Sequence, residues 1–334
     1  MKRIFGLILF GLGVCLVLLA PLFRFYVGPS SAVTPLNQFT ESTGVGVVQK
    51  QLVISKFLAG DPNPYNENFP VKQTRYTRGD VLAAEQDPAK SDNLAVFDTF
   101  QRLNNTANGE LVNASSSRYA FGRTDSLLAN CCNANAGGKT VQFSGVMPLK
   151  FPFFTKQETY DVWDDTLLGT TPFEFVVAED HAGVATFKFQ SNIPPTKVPG
   201  SELKVPAKIL GQPGSGDATI SQYYTGSTTT WIEPETGQIV DSNSSPIVSF
   251  RGADGQKDLA VALALKAGGD PAFVESSAKD INSKADLLKL VMNTLPIIFL
   301  ILGLIFIAVG LLLSRNSDNS SGPSAPATGP PATV

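Results

Sequence analysis

The sequence predicts a β-dominated (α+β) domain outside the cytoplasm, built on a twisted antiparallel or barrel-like sheet and flanked by a transmembrane helix at each end. Three observations support this fold class. Both ends of the 334-residue chain carry long uncharged apolar runs, the middle has alternating β-branched segments broken by Gly and Pro, and a helical pattern appears only late in the sequence. The two runs explain why only 16% of the residues are charged, against about 25% in typical globular proteins.

The first apolar run extends from Ile4 to Phe23. At about 1.5 Å per residue, a helix of this length crosses a hydrocarbon core of about 30 Å. The run is longer than the apolar core of a secretory signal, and Pro21 directly after Ala20 disfavours cleavage there. Residues 1–24 are therefore predicted to form a retained signal anchor. Lys2 and Arg3 place the N-terminus in the cytoplasm by the positive-inside rule.

The second apolar run, residues 290–313, predicts a second transmembrane helix in the plasma (inner) membrane. Residues 25–289 would then lie outside the cytoplasm. The tail, residues 314–334, is rich in Ser, Pro, Ala and Gly and is predicted to be disordered and cytoplasmic. Five glycines in the two runs would let the helices pack closely, namely Gly6, Gly11, Gly13, Gly303 and Gly310.

Three segments of the middle region are predicted to be extended. Val45–Leu58 is rich in Val and Ile, and the residues from Val184 to Gln190 alternate as in a half-buried strand. Thr228–Val240 predicts a hairpin that turns at Pro234–Gly237. A region of about 265 residues organised in this way is long enough to bury a core or to enclose a lipid cavity.

Other segments are predicted to be irregular or helical. Asp61–Pro70, Asn104–Ser117 and Pro194–Gly216 are rich in Pro, Gly, Asn or Ser and are typical of loops. Lys257–Ala267 is rich in Ala and Leu and predicts a helix within residues 257–289. Asp270 followed by proline predicts the start of another helix, which would continue into the membrane.

Composition excludes several classes of function. The net charge of −3 provides no basic field for nucleic acid. The single histidine, His181, is predicted to be a turn residue, and one histidine and three cysteines do not favour a metal site. Phosphate-binding, zinc-protease and nucleophile-elbow motifs are absent from the sequence. The sequence therefore predicts a protein that is not an enzyme and needs neither metal nor cofactor.

Cys131 and Cys132 are adjacent in the sequence. In an oxidising compartment they would form either a vicinal disulfide or bonds between chains. A vicinal disulfide here has two possible roles. It could be a redox-labile bond, because strained bridges are more easily reduced, or a structural lock on a turn.

An aromatic-rich segment follows, with Phe151, Phe153, Phe154, Tyr160 and Trp163 close together in the chain. These five residues are the candidate ligand-binding residues, because aromatic side chains line many apolar pockets. The alternative is that they belong to a pair of strands and fill the core. Both alternatives require the same residue types.

Three segments together resemble the actinobacterial "porin PorA-like" family of unknown function. They are Arg123-Thr-Asp-Ser-Leu-Leu-Ala-Asn-Cys-Cys, then Phe151-Pro-Phe with Tyr160-Asp-Val-Trp-Asp, and Thr230-Trp-Ile-Glu-Pro-Glu-Thr-Gly-Gln-Ile-Val. Mycobacterial relatives bind the glycolipid trehalose monomycolate and partner a mycolate exporter. The resemblance thus implies a periplasmic lipid- or glycolipid-binding protein anchored in the inner membrane, which assists the trafficking of cell-envelope lipids.

Two other functions stay open at the level of the sequence. A scaffold of an envelope-synthesis complex would have a filled core and would retain membrane proteins rather than lipid. A lipid-modifying enzyme would need His181 or a pair of carboxylates beside a nucleophile.

Overall fold

The computed structural model describes residues 2–210 and 216–315, so most of the predicted disordered tail lies outside the described residues. The chain divides into two compact units. One contains the N-terminal residues through Ser31 together with the residues from Leu287 onward, and the other is Ala32–Asp286.

The helices lie mostly at the two ends of the chain. A π-helical turn, Phe23–Val27, follows the first helix, and a second one, Leu290–Thr294, precedes the last. The α-helices are α1 Lys2–Leu22, α2 Gly28–Ser31, α3 Ile54–Leu58, α4 Val81–Ala84, α5 Pro271–Lys289 and α6 Leu295–Arg315.

The segments Arg3–Ser31 and Pro271–Arg315 are long and apolar enough to cross a membrane. The N-terminal helical segment thus continues past residue 24, where the signal anchor was predicted to end. Asp270 precedes the first residue of α5, and its side chain accepts a hydrogen bond from the amide of Ala272 at 3.1 Å, as a helix cap does. The predicted helix start at Pro271 and its continuation into the second apolar run are confirmed.

The apolar ends of α1 and α6 pack through glycines within their own unit. A Cβ atom on Gly13 would lie 2.7 Å from the carbonyl oxygen of Gly303, and one on Gly310 would lie 2.7 Å from that of Gly6. Gly11 has open space around it. Four of the five glycines therefore allow the close packing that the sequence predicts.

The β-rich unit contains fourteen strands in its described part. They are β1 Phe39–Leu52, β2 Tyr65–Gly79, β3 Leu94–Asn105, β4 Leu111–Gly122, β5 Leu128–Ala129, β6 Asn135–Ala136, β7 Tyr160–Asp164, β8 Gly169–His181, β9 Val184–Lys197, β10 Leu203–Pro206, β11 Asp217–Glu233, β12 Gln238–Ser244, β13 Ile247–Gly252 and β14 Asp258–Gly269.

The strands form one antiparallel sheet in the order β5-β4-β3-β2-β1-β14-β12-β11-β9-β8-β7. β12 and β13 together act as one interrupted strand between β11 and β14. The backbone of Val146 is bridged both to Leu127, next to β5, and to Val162 in β7. The antiparallel sheet and the two terminal apolar helices are confirmed, whereas full barrel closure and a lipid cavity stay predictions.

The predicted helix at Lys257–Ala267 is wrong. This segment is β14, which pairs with β1 through Gly46 and Ala267 and with β13 through Phe250 and Ala260. Ala and Leu favour a helix locally, but the ladders on both sides of the segment outweigh that preference.

Two predicted loops are largely strand. Tyr65–Pro70 belongs to β2, and Pro70 lies one residue outside the ladder with β3, where a proline removes no ladder hydrogen bond. Most of Asn104–Ser117 belongs to β3 and β4. The third loop, Pro194–Gly216, contains the end of β9 and all of β10, and its residues 211–215 lie outside the described part.

The remaining strand predictions fit the structure better. The hairpin of β11 and β12 turns at Pro234–Gly237, and β9 begins at Val184, so both predictions are confirmed. Val45–Leu58 is strand only to Leu52, where β1 ends and the short helix α3 follows.

Candidate functional site

Two of the three family-like segments interlock in the β-rich unit. Phe151 donates its backbone N–H to the carbonyl of Gly237 at 2.8 Å, and Thr155 donates to the carbonyl of Pro234 at 2.7 Å. The third segment joins them, because the Ser126 hydroxyl donates to the carbonyl of Phe151 at 3.0 Å. The motifs that are far apart in sequence therefore meet at one place.

The buried carboxylate of Glu233 shapes the turn in this junction. It accepts hydrogen bonds from the backbone N–H of Glu235 at 3.1 Å and of Thr236 at 2.8 Å, and from the Thr236 hydroxyl at 2.6 Å. Each bond compensates part of the cost of removing a carboxylate from water. The conformation of the Glu-Pro-Glu-Thr-Gly turn is thus held by hydrogen bonds to its own first residue.

Lys150 lies beside this turn. Its Nζ donates to the carbonyl of Phe151 at 3.0 Å and lies 3.8 Å from the centre of the Phe153 ring. Burial lowers the pKa of Lys150 to about 7, although the carboxylate of Glu233 acts to raise it.

This pKa gives a prediction for stability. In the unfolded chain Lys150 keeps its ordinary pKa near 10.4. The unfolded state therefore binds more protons between about pH 7 and pH 10, and the free energy of unfolding rises with pH across that interval. Replacing Lys150 with Met removes the buried charge. We expect it to raise the unfolding free energy at pH 6 by on the order of 2 kcal/mol.

Denaturant unfolding of both proteins at pH 6 and pH 9.5 measures the difference. The increase in unfolding free energy of the K150M protein over wild type should be smaller at pH 9.5, because Lys150 is neutral in the folded wild-type protein at that pH. A gain of equal size at both pH values would contradict the prediction. Lys156, an exposed lysine nearby, provides the matched control as Lys156→Met.

The structure distributes the five predicted aromatic residues over different surroundings. Phe151 is buried, and its ring centre lies 5.3 Å from those of Tyr160 and Phe189. Phe153 is half-buried, and Phe154 is 39% exposed.

Trp163 packs in a second cluster, with its ring 4.7 Å from that of Phe143. The five side chains therefore do not converge on one point. Phe151 and Trp163 each fill a cluster of buried side chains.

Cys131 and Cys132 are joined in a vicinal disulfide. The loop that carries them is fixed on both sides. The Asn130 side chain exchanges two hydrogen bonds with the backbone of Phe143, at 2.6 and 3.0 Å. Arg118 donates from Nε to the carbonyl of Cys132 at 2.9 Å.

A polar network lies on one face of β2, β3 and β4, which we call the covered face. It is the face that carries Arg75, Gln101 and Ser115, which are register partners on neighbouring strands. The side-chain oxygen Oε1 of Gln101 accepts from Arg75 Nε at 3.2 Å and Nη2 at 3.0 Å, and from the side-chain amide of Gln73 at 3.0 Å. The amide of Gln101 donates to the Ser115 hydroxyl at 2.9 Å.

Asp165 connects the covered face to the aromatic cluster. It accepts hydrogen bonds from the hydroxyls of Ser117 at 2.7 Å and Tyr119 at 2.6 Å, and from the Trp163 indole at 2.8 Å. Burial and the Asp165 carboxylate raise the pKa of Tyr119 far above its usual range, so its hydroxyl stays a donor. One predicted residue, Trp163, thus borders the polar network.

Arg75 is the only cation among the residues of this network. Burial lowers the pKa of its guanidinium, while the carboxylate of Asp165 acts to raise it. Within the described residues its Nη1 makes no hydrogen bond and it has no ion-pair partner within 4.0 Å. A half-buried guanidinium with unused donors can bind an oxygen-rich ligand.

His181 is the last residue of β8, at the turn that leads into β9, as predicted. Its ring stacks on Trp231 at 4.2 Å and Nε2 lies 2.9 Å from Asp241. Within the described residues, no hydroxyl or thiol side chain is hydrogen-bonded to His181 or Asp241. Nor do the described residues contain a group of three or more His, Cys, Asp or Glu side chains that could hold a metal.

A family model described as "Porin PorA" matches residues 5–312, which is nearly the whole chain. The chain belongs to this family. A "Porin PorA" of Corynebacterium amycolatum is 24% identical over 341 aligned positions, covering 85% of this chain and 86% of that relative. A second PorA, from Corynebacterium resistens, is 23% identical over 317 positions, covering 72% of this chain and 76% of the relative. The PorA match spans both apolar helices and the β-rich unit, and it confirms the resemblance seen in the three segments.

Proposed function

We propose that this PorA-family protein is a non-enzymatic binding protein for a lipid with a hydroxyl-rich head group, and that it assists the trafficking of envelope lipids. The observation that carries the proposal is a pair of hydrogen-bonded groups on the covered face of the sheet, one around Arg75 and Gln101 and the other around Asp165. The covered face of an ordinary soluble domain is apolar, because burying polar groups costs free energy unless they are paired.

A further polar group lies on the same face of the sheet. The Ser191 hydroxyl is buried and has no hydrogen-bond partner among the described residues. Ser191 on β9 is the register partner of Thr228 on β11. Successive partners on the next strands lead across the sheet to β2, namely Ser244, Ala267, Gly46 and Val71. The Ser191 side chain therefore points to the same face as that of Arg75. Unused donors at both places support a ligand rich in oxygen atoms.

Buried aromatic side chains border this network through Trp163, which shares Asp165 with Tyr119. A head group held by the network would thus leave its acyl chain beside aromatic side chains. Each buried CH₂ of that chain would contribute about 0.8 kcal/mol. A glycolipid such as trehalose monomycolate has both parts, and we propose it as the ligand.

We further propose a location and a partner. The two apolar helices support a two-pass protein of the inner membrane, with the β-rich unit on the outer side and both termini in the cytoplasm. A mycolate exporter in the same membrane would supply the lipid. The vicinal disulfide agrees with an oxidising compartment.

A channel is the second candidate, and the relatives' name "Porin PorA" supports it. A polar covered face could also line a water-filled path. The opposite face of the same strands carries Arg78, Asp98 and Arg118. Such charges do not fit the apolar outer band of a membrane barrel. A water-filled path would therefore have to run through the β-rich unit alone, and ion conductance in planar bilayers tests this candidate.

The test of lipid binding is native mass spectrometry of the full chain, purified in detergent from an envelope-competent host. We expect an added mass that extracts as glycolipid. Arg75→Met should reduce lipid occupancy about tenfold, the loss that 1.4 kcal/mol of head-group binding gives. Arg102→Met is the matched control, because Arg102 is exposed on the other face of the sheet, on the neighbouring strand β3.

Two outcomes would count against the proposal. A clean mass of the protein alone, unchanged by added lipid, would favour a scaffold. Equal lipid occupancy in the R75M and wild-type proteins would show that the lipid does not bind at the covered face. Phe153→Asp tests the aromatic segment in the same assay and should also lower occupancy.

A further inference from the structure

The face of β2, β3 and β4 opposite the covered face, which we call the open face, carries a groove of about 380 Å³. Its lining includes three aromatic residues, Phe39, Tyr76 and Phe100. They come from three neighbouring strands, since Tyr76 is the register partner of Phe100 and Phe39 lies on β1.

The three aromatic side chains form an apolar platform on this face, and two of them are well exposed to solvent. Phe39 is 66% exposed and Phe100 is 45% exposed. The rings of Phe39 and Tyr76 are nearly parallel, at an angle of 27°, with their centres 6.5 Å apart. Strands lie about 4.8 Å apart, so the platform extends across about 10 Å of the sheet. Aromatic rings exposed together in a groove indicate a binding surface.

Fixed polar groups border the platform. Arg118 donates from Nη1 to both oxygens of Asp98 at 2.8 Å and from Nη2 to Asp80 at 2.6 Å. Its Nε is held by the carbonyl of Cys132. The Asp98 side chain is still 51% exposed, and the Arg78 side chain makes no hydrogen bond with the described residues. The groove therefore offers a fixed acceptor at Asp98 and an exposed donor at Arg78.

The charges at this groove nearly cancel. Arg78 and Arg118 are positive, whereas Asp80, Asp98 and the neighbouring Glu41 are negative. Three carboxylates at the groove would repel an anionic polymer. The two solvated ion pairs of Arg118 would disfavour an acyl chain. A neutral ring with an apolar face and hydroxyl edges fits both the platform and its border.

We propose that this groove binds the sugar rings of a neutral saccharide chain. The pyranose or furanose faces would stack on Phe39, Tyr76 and Phe100, and the hydroxyls would bond to Asp98 and Arg78. Side chains of neighbouring residues alternate between the faces of a strand, so the platform lies on the opposite face from Arg75, although the groove also reaches Ser117, whose hydroxyl bonds to Asp165. The open face would thus bind a glycan while the covered face binds the lipid proposed above.

The test uses the full chain in detergent and an array of soluble neutral hexose and pentose oligosaccharides of two to six units. Wild-type protein should bind at least one class. The double variant Phe39→Ala with Phe100→Ala should lose at least tenfold in affinity without a change in its unfolding temperature, because both rings are exposed. Val45→Ala with Val47→Ala removes two exposed apolar side chains from the same face of β1 and serves as the control.

The outcomes are distinct from those of the lipid assay. Unchanged lipid occupancy in the Phe39/Phe100 double variant, together with lost glycan binding, would establish a second site. No glycan retained by the wild-type protein would overturn the proposal. Binding that survives the loss of both rings, or that requires acidic sugars, would also overturn it.

Discussion

Replacing Gly237 with alanine is expected to destabilise the β-rich unit by about 3 kcal/mol, the sum of a backbone penalty and a steric one. Gly237 has φ +69°, a conformation that costs an L-residue about 1–2 kcal/mol. A Cβ atom there would also lie 2.4 Å from the carbonyl oxygen of Pro152 and still closer to that of Phe151. These carbonyls belong to the segment that interlocks with the Glu233 turn, so the two segments would have to separate.

Gly183→Ala is the matched control, because Gly183 has φ +78° but open space where the Cβ atom would be. It should cost only the backbone penalty of about 1–2 kcal/mol. Denaturant unfolding followed by tryptophan fluorescence measures both losses. Equal losses in the two variants would show that the Phe151–Thr155 segment does not constrain the turn.

Leucine in place of Gly13 or Gly303 is expected to separate the two apolar helices. The Cβ atom of either residue would lie within 2.8 Å of a carbonyl oxygen on the other helix, and neither backbone can move without the helices parting. Helix association in lipid depends on such close packing, because the hydrophobic effect does not favour helix contacts over lipid contacts. We expect most of the helix pairing to be lost.

Spin labels at Ile4 and Leu312, which are both exposed, report the separation of α1 and α6 in lipid nanodiscs. In a Cys15→Ser background, the distance distribution should lengthen and broaden for Gly13→Leu and for Gly303→Leu. Gly11→Leu should leave it unchanged, since Gly11 contacts nothing within 4 Å. A distribution that stays narrow in all three variants would refute glycine-mediated pairing.

The ends of the chain could be predicted from the sequence because length and lack of charge decide whether a helix can span a membrane. The strands were harder. Asn104–Ser117 has the composition of a loop, yet Ser115 and Ser117 face a polar interior, so burial does not imply apolar residues here. Lys257–Ala267 has the composition of a helix, and only its partners on β1 and β13 make it a strand.

Only part of the candidate site could be predicted from the sequence. The aromatic segment and the cysteine pair are visible as local patterns. The network at Arg75 was missed, because its members lie on separate strands and only the register brings them together. A faint signal exists in the spacing of Gln73 with Arg75 and of Ser115 with Ser117, where polar residues recur at every second position.

The pairing of β1 with β14 has a consequence for the order in which the protein is made. Gly44 is among the first residues of the sheet to leave the ribosome, and its partner Gly269 is among the last. Pairs so distant in sequence form slowly, since the intervening chain must be ordered first. β1 therefore waits with one edge unpaired until almost the entire domain has been synthesised. A chain truncated before β14 would expose that edge, and such edges promote aggregation.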